Sequence, residues 1–146
     1  MKIILVSPRF YPAIGGLERH VYSLSRELAR RGHEVKVYTT TSLTSRDIPQ
    51  LSKKLPFMNR KEKPAKLSRE DANDGLLVRR LQPLFRFWSL LIVPELPLYL
   101  FKEDAEIFHI HGYQPFTSIL SALAVKIKNY KNKVILTTHD IQIAVG

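Results

Sequence analysis

Residues Lys2 to Val6 form a continuous apolar run closed by Ser7 and Pro8, the pattern of a strand buried on both faces of a parallel sheet. A loop, Pro8 to Gly16, follows. From Leu17 the apolar positions Leu17, Val21, Leu24 and Leu28 recur at spacings of four, three and four, the stripe of a helix packed along one side. Arg30 and Arg31 suit the negative end of the helix dipole, and Gly32 supplies a left-handed stop. Glu34 to Thr39 then sets Val35 and Val37 on one face of a second strand, close enough to the first for a right-handed βαβ crossover.

Downstream, Leu76 to Leu81 predicts a third strand, and Phe85 to Phe101 a helix broken or ended near Pro94. Ile107 to Ile110 predicts a fourth strand, Pro115 to Lys128 a helix and Val134 to Thr138 a fifth strand. Strand and helix alternate throughout, which argues for an α/β fold, a Rossmann-like parallel sheet with helices on both faces. The 146 residues suit one domain.

Composition changes this picture in four places. No cysteine is present, so disulfides and thiolate metal sites are excluded and a reducing cytoplasmic setting is the easier reading. The opening MKIILVSPRF is too short an apolar run for a secretory signal. Arg86, Pro94, Glu95 and Pro97 interrupt the apolar stretch from Leu84 to Phe101, which rules it out as a membrane span. The formal net charge of +10 implies an anionic partner without choosing among nucleic acid, phospholipid headgroups and phosphorylated substrates. Much of that charge is local, with seven basic residues and one acid between Lys53 and Arg69, inside a basic loop insert spanning about 42–75.

Ligands of open parallel sheets sit beyond the carboxyl ends of the strands where strand order reverses. That rule directs attention to the loops Pro8 to Gly16 and His111 to Pro115. Gly15 and Gly16 immediately precede a helix, where backbone without Cβ atoms lets a phosphate or another anion approach unpaired amides. A tight turn feeding the helix accounts for the same two residues. Neither GxxxxGK[ST] nor GxGxxG after the first strand occurs, which excludes a P-loop nucleoside triphosphatase and an ordinary dinucleotide binder.

Ile107, His109 and His111 share one strand face, and His111 falls where the strand opens onto the crevice. A histidine there can donate to a ligand hydroxyl or a developing negative charge in either protonation state; capping a loop carbonyl is the alternative. His109, two residues deeper, reads as a hydrogen-bonded core histidine. His33 belongs to the turn after Gly32, and His20 to a solvated or cleft-edge position on the first helix. Glu18 suits the positive start of that helix. Arg9 can reach an anionic acceptor or simply stand exposed on its loop. With neither HExxH nor Asp-x-Asp in the chain, no metal site is expected.

The segment PRFYPAIGGLERHVYSLSRELARRGHEVKVYTT resembles the first βαβ unit of glycosyltransferase family 4, in which a proline-containing loop ending in Gly-Gly precedes a helix closed by Gly-His. EIFHIHGYQPF and VILTTHD are similar to that family's fourth and fifth strand ends. The resemblance implies the N-terminal, acceptor-side domain of a two-domain GT-B enzyme that transfers sugar with retention from a nucleotide-sugar, a substrate rather than a cofactor, without a required metal. By position, Gly15 and Gly16 would form the diphosphate and acceptor loop, His111 would face the reacting sugar, and His139 would line the same cleft. The donor-binding domain would be missing from this chain, leaving it inactive alone.

The resemblance also implies a sugar or lipid-linked acceptor. Together, the basic insert and the aromatic stretch Phe85, Phe87 and Trp88 offer the two signals for peripheral contact with an anionic inner membrane face; a solvated loop and a core helix are the alternative. A nucleic-acid-binding module rests on charge alone, without an RNA-recognition signature or C2H2 spacing, so no nucleic acid is expected. A sugar-nucleotide epimerase of the same fold is disfavoured by HIHGYQPF.

Overall fold

The computed structural model describes residues 1–41, 67–73, 75–87, 90–112, 115–128 and 131–138. Its elements run β1 (Lys2–Val6), α1 (Gly16–Arg30), β2 (Glu34–Thr40), β3 (Glu70–Asn73), β4 (Leu76–Leu81), β5 (Phe85–Phe87), β6 (Leu90–Ile92), α2 (Glu95–Lys102), β7 (Ile107–His111), α3 (Pro115–Lys128) and β8 (Lys133–Thr137). Six strands form one sheet in the order β3-β4-β2-β1-β7-β8. All its pairings are parallel except that of β3 with β4. The fold is α/β and Rossmann-like, as the alternation of elements predicts.

Period-two alternation sends neighbouring residues of β1 to opposite faces. Ile3 and Leu5 join Val35, Val37, Leu76 and Val78 under α1, which contributes Val21 together with Leu17, Leu24 and Leu28. Ile4 and Val6 join Phe108, Ile110 and Val125 on the other face, beneath α2 and α3. Each fully buried aliphatic side chain contributes about 1.5–3 kcal/mol, so a strand used on both faces is anchored twice. Helix α1 stops where Gly32 takes φ 83°. There the Gly32 amide donates to the Ala29 carbonyl and the His33 amide to that of Leu28, which places His33 in the turn as its sequence position predicts.

Two elements depart from the sequence reading. The helix expected over Phe85 to Phe101 begins only at Glu95, while Phe85–Phe87 and Leu90–Ile92 pair antiparallel as a two-stranded ribbon. Phenylalanine and isoleucine favour extended backbone, and Pro94 has the φ of −65° that suits a helix start. The second departure is β3, an antiparallel edge strand at the end of the expected loop insert, in register with β4 from Glu70 opposite Arg79 to Asn73 opposite Leu76. Residues 42–66 of the insert, Trp88 and His139 lie outside the described residues.

A charged cluster ties α2 to the sheet. Glu103, 9% exposed at the end of α2, accepts hydrogen bonds from Lys36 Nζ and the Tyr38 hydroxyl of β2. Lys2 Nζ lies 3.1 Å from its other oxygen. Burial alone would raise the Glu103 pKa, but hydrogen bonds from Lys36, Tyr38 and Lys2 outweigh it and hold the carboxyl down at about 2. The Tyr38 hydroxyl is pushed upward by burial and by donating to that carboxylate.

Candidate active site

From β1 the chain passes through α1 to β2 on one side, and later returns to β7 on the other side of β1. Strand order therefore reverses between β1 and β7, and the crevice at their carboxyl ends is the site that the topology itself defines. Its walls are the loop of residues 7–15 with the start of α1, and the end of β7.

The loop is fastened by donors to its carbonyls. Ser7 Oγ donates to the Arg9 carbonyl at 2.7 Å, Thr40 Oγ1 to that of Pro8 at 2.6 Å, and Arg80 Nη2 to that of Tyr11 at 3.0 Å. The Ala13 amide donates to the Phe10 carbonyl at 3.0 Å. Arg80, from β4, is 5% exposed and its Nη1 also reaches Asp71 and the Ser68 carbonyl. One guanidinium thus joins β3, β4 and the loop. Sequence reasoning passes over Thr40, Asp71 and Arg80; the available signal is an arginine inside the apolar strand LLVRRL, because arginine is rarely buried without partners.

The two glycines at the head of α1 differ. Gly15 is the N-cap, with extended backbone at φ 175°, and a Cβ there would stand 2.0 Å from Glu18 Oε2. The Glu18 carboxylate has folded back over the start of its own helix, where a negative charge opposes the positive end of the dipole. Glu18 is 2% exposed. Arg9 Nε stands 2.7 Å from Glu18 Oε1, a charge contact outside hydrogen-bond alignment, so Arg9 balances Glu18. At Gly16 a Cβ would meet nothing within 4 Å. Of the pair, Gly16 is the one that offers open backbone.

His111 closes β7 and is 2% exposed. The His20 ring, from the exposed side of α1, stands edge-on to it with 5.8 Å between centroids. The His109 ring lies against it from below at 3.9 Å, and His109 Nε2 is 2.7 Å from Thr137 Oγ1 of β8. His109 has the hydrogen bond expected of it but is half-buried rather than in the core, and His20 is exposed on α1 beside His111. Gly112 next takes φ 94°, where a Cβ would meet Pro8 at 3.4 Å and Leu17 at 3.5 Å. The turn after β7 thus packs against both ends of the opposite wall. Structure brings together Arg9, Gly15, Gly16, Glu18, His20 and His111 at one end of the sheet.

Comparison with known proteins identifies the family. The family model of Glycosyltransferase Family 4 matches residues 14–143. Over 38 residues, 26% of the chain and 8% of the relative, the sequence is 50% identical to a phosphatidylinositol N-acetylglucosaminyltransferase subunit of Homo sapiens. Over 39 residues, 27% of the chain and 9% of the relative, it is 44% identical to the protein of the same name from Arabidopsis thaliana. These matches cover less than a tenth of either relative, whereas the family match runs from the loop before α1 past β8 and includes the end of β7. The chain belongs to glycosyltransferase family 4.

Proposed function

We propose that this domain is the acceptor side of a retaining glycosyltransferase, in which a second, donor-binding domain presents a nucleotide-sugar to the crevice between β1 and β7. The observation that carries the reading is the placement of Gly16 and the His20–His111 pair on the two walls of that crevice. Open backbone at Gly16 lets a diphosphate approach the amides at the head of α1, and Arg9 lies beside it with a side chain 33% exposed.

His111 is the catalytic group in this proposal, donating a hydrogen bond to the reacting sugar as charge develops there. His20 is its movable cover. The His20 side chain is exposed, and in this proposal the incoming substrate displaces its ring and bares the edge of His111 that it now faces. The acceptor is a hydroxyl-bearing glycan or lipid headgroup. The relatives' name, with phosphatidylinositol in it, favours the lipid-linked kind. Work on such a headgroup would place the protein at the surface of a membrane, and no helix among the described residues is long and apolar enough to cross one.

Alone, residues 1–146 should release no nucleotide from a sugar donor in an acceptor-dependent way. The decisive experiment joins this domain to a donor-binding half and follows the anomeric proton of the product by NMR. Product with the donor's anomeric configuration supports the reading, and an inverted product overturns it.

A further inference from the structure

On the same face of the sheet as α1, but displaced toward β3, lies a groove of about 420 Å³, within the roughly 300–1,000 Å³ usual for small-molecule sites. It is separated from β7 by three strand spacings, through β1 and β2 to β4, or roughly 14 Å. It is thus distinct from the crevice between β1 and β7. The loop of residues 7–15 forms a wall of both.

One wall is aromatic. The Tyr11 ring, 57% exposed, stacks on the Tyr22 ring of α1 at 5.1 Å and 25°, and Phe10 braces Tyr22 edge-on at 5.8 Å. Leu76 and Val78 line the groove from the sheet, and Asp71 with Arg80 adds the polar groups. Among the described residues lining the groove, Arg80 is the one cation. Its Nη atoms already serve Asp71, the Ser68 carbonyl and the Tyr11 carbonyl. The Asp71 side chain remains 43% exposed, and a carboxylate has lone pairs to spare beyond one guanidinium contact.

We infer that this groove binds a neutral polyhydroxylated six-membered ring, a pyranose or a cyclitol, by packing its C–H face on Tyr11 and accepting its hydroxyl hydrogens at Asp71. An anion is disfavoured because the lining cation, Arg80, is neutralised within the wall. A purely apolar guest would leave the Asp71–Arg80 pair desolvated without compensation. A ring with one C–H face and hydroxyl edges satisfies both walls, which is how a few placed polar groups orient a ligand in a largely apolar site. In the acceptor-side reading, on which this inference rests for its purpose, the groove holds a unit of the acceptor remote from the bond being made.

Saturation-transfer NMR on residues 1–146 tests the groove without donor or second domain. The probes are methyl α-glucopyranoside, methyl N-acetyl-α-glucosaminide, myo-inositol and, as the anion, glycerol 3-phosphate. Saturation should reach the ring protons of at least one neutral probe. It should survive Tyr11→Phe and weaken about ten-fold in Tyr11→Ala, the order expected when a stacking wall is lost. Tyr11 is a surface side chain, so neither variant threatens the fold. Binding confined to the pyranosides identifies a glycosidic unit, and binding confined to myo-inositol a cyclitol headgroup. Either supports the groove. It is overturned if no neutral probe receives saturation, if Tyr11→Ala binds as well as the parent, or if glycerol 3-phosphate binds in preference. Such a failure leaves the transferase reading standing, because that reading is decided by product anomer.

Discussion

The His20 ring of α1 stands edge-on to the buried His111 ring of β7, 5.8 Å between centroids, so the two walls of the crevice meet through a pair of histidines. This contact separates two roles that kinetics can tell apart. In a two-domain protein that transfers sugar, His111→Ala should lower kcat by about 100-fold, as loss of a donor aimed at developing charge does, with a smaller effect on KM. His20→Ala should act mainly on KM, because a movable cover affects entry more than chemistry. Steady-state kinetics at one pH with saturating donor measures both. A His111→Ala protein with the parent kcat would remove His111 from the chemistry.

Gly15 and Gly16 are neighbours with opposite demands. A Cβ at Gly15 would strike Glu18 Oε2 at 2.0 Å, whereas one at Gly16 enters open space. Gly15→Ala should therefore push the carboxylate off the head of α1 and cost about 1 kcal/mol, the worth of a charge at a helix terminus. In a Glu18→Ala background the same change should cost almost nothing. Gly16→Ala should leave stability unchanged or slightly raised, since alanine suits a helix better than glycine does. Urea denaturation of the four variants makes the comparison, and equal losses at Gly15 with and without Glu18 would show that the carboxylate is not what the glycine accommodates.

The legible parts of this molecule are those with local causes. The four apolar positions of α1, its Gly32 stop and the apolar runs of β1 and β7 each carry their own pattern, and together they place His20 and His111 at the same end of the sheet. Glu70–Asn73 has no such pattern: EDAN is a strand because β4 offers it an edge. The ribbon of β5 and β6 is likewise settled by pairing between segments that are each only three residues long. Arg80 and Tyr11 are 69 residues apart in sequence, and Lys36 and Glu103 are 67 apart. Partnerships at that range leave no local signature, so the side chains that fasten the loop stayed hidden while the loop did not.

Arg80 makes a sharp test of that fastening. Replacing it with alanine removes three contacts at once; Asp71 is half-exposed and regains water, so the loss should be about 1.5–3 kcal/mol, the worth of hydrogen bonds made by a charged group. Arg80→Lys should recover only part of this, because an ammonium cannot reproduce the planar fork that spans Asp71 and the Tyr11 carbonyl. Amide exchange gives the local reading. The Ala13 amide, bonded to the Phe10 carbonyl, should exchange faster in Arg80→Ala than amides of β1 do, whereas uniform acceleration would show that Arg80 supports the sheet rather than the loop.

Glu103 predicts how the fold responds to acid. Its carboxyl titrates at about 2 in the folded protein against an ordinary value of 4.5, so folding favours the charged form. The stability that Glu103 contributes is fully present above pH 4.5 and is lost as pH falls from there toward 2. Glu103→Gln keeps the shape but leaves Lys36 without its anion and Lys2 with only the longer contact to Glu34, and should cost about 3 kcal/mol at neutral pH. The gap between parent and variant should then close through that acid window, because the parent loses by protonation what the variant already lacks. Thermal unfolding of both proteins between pH 7 and pH 3 reads the gap directly. A difference constant with pH would mean that packing of the side chain, and not its charge, ties α2 to β2.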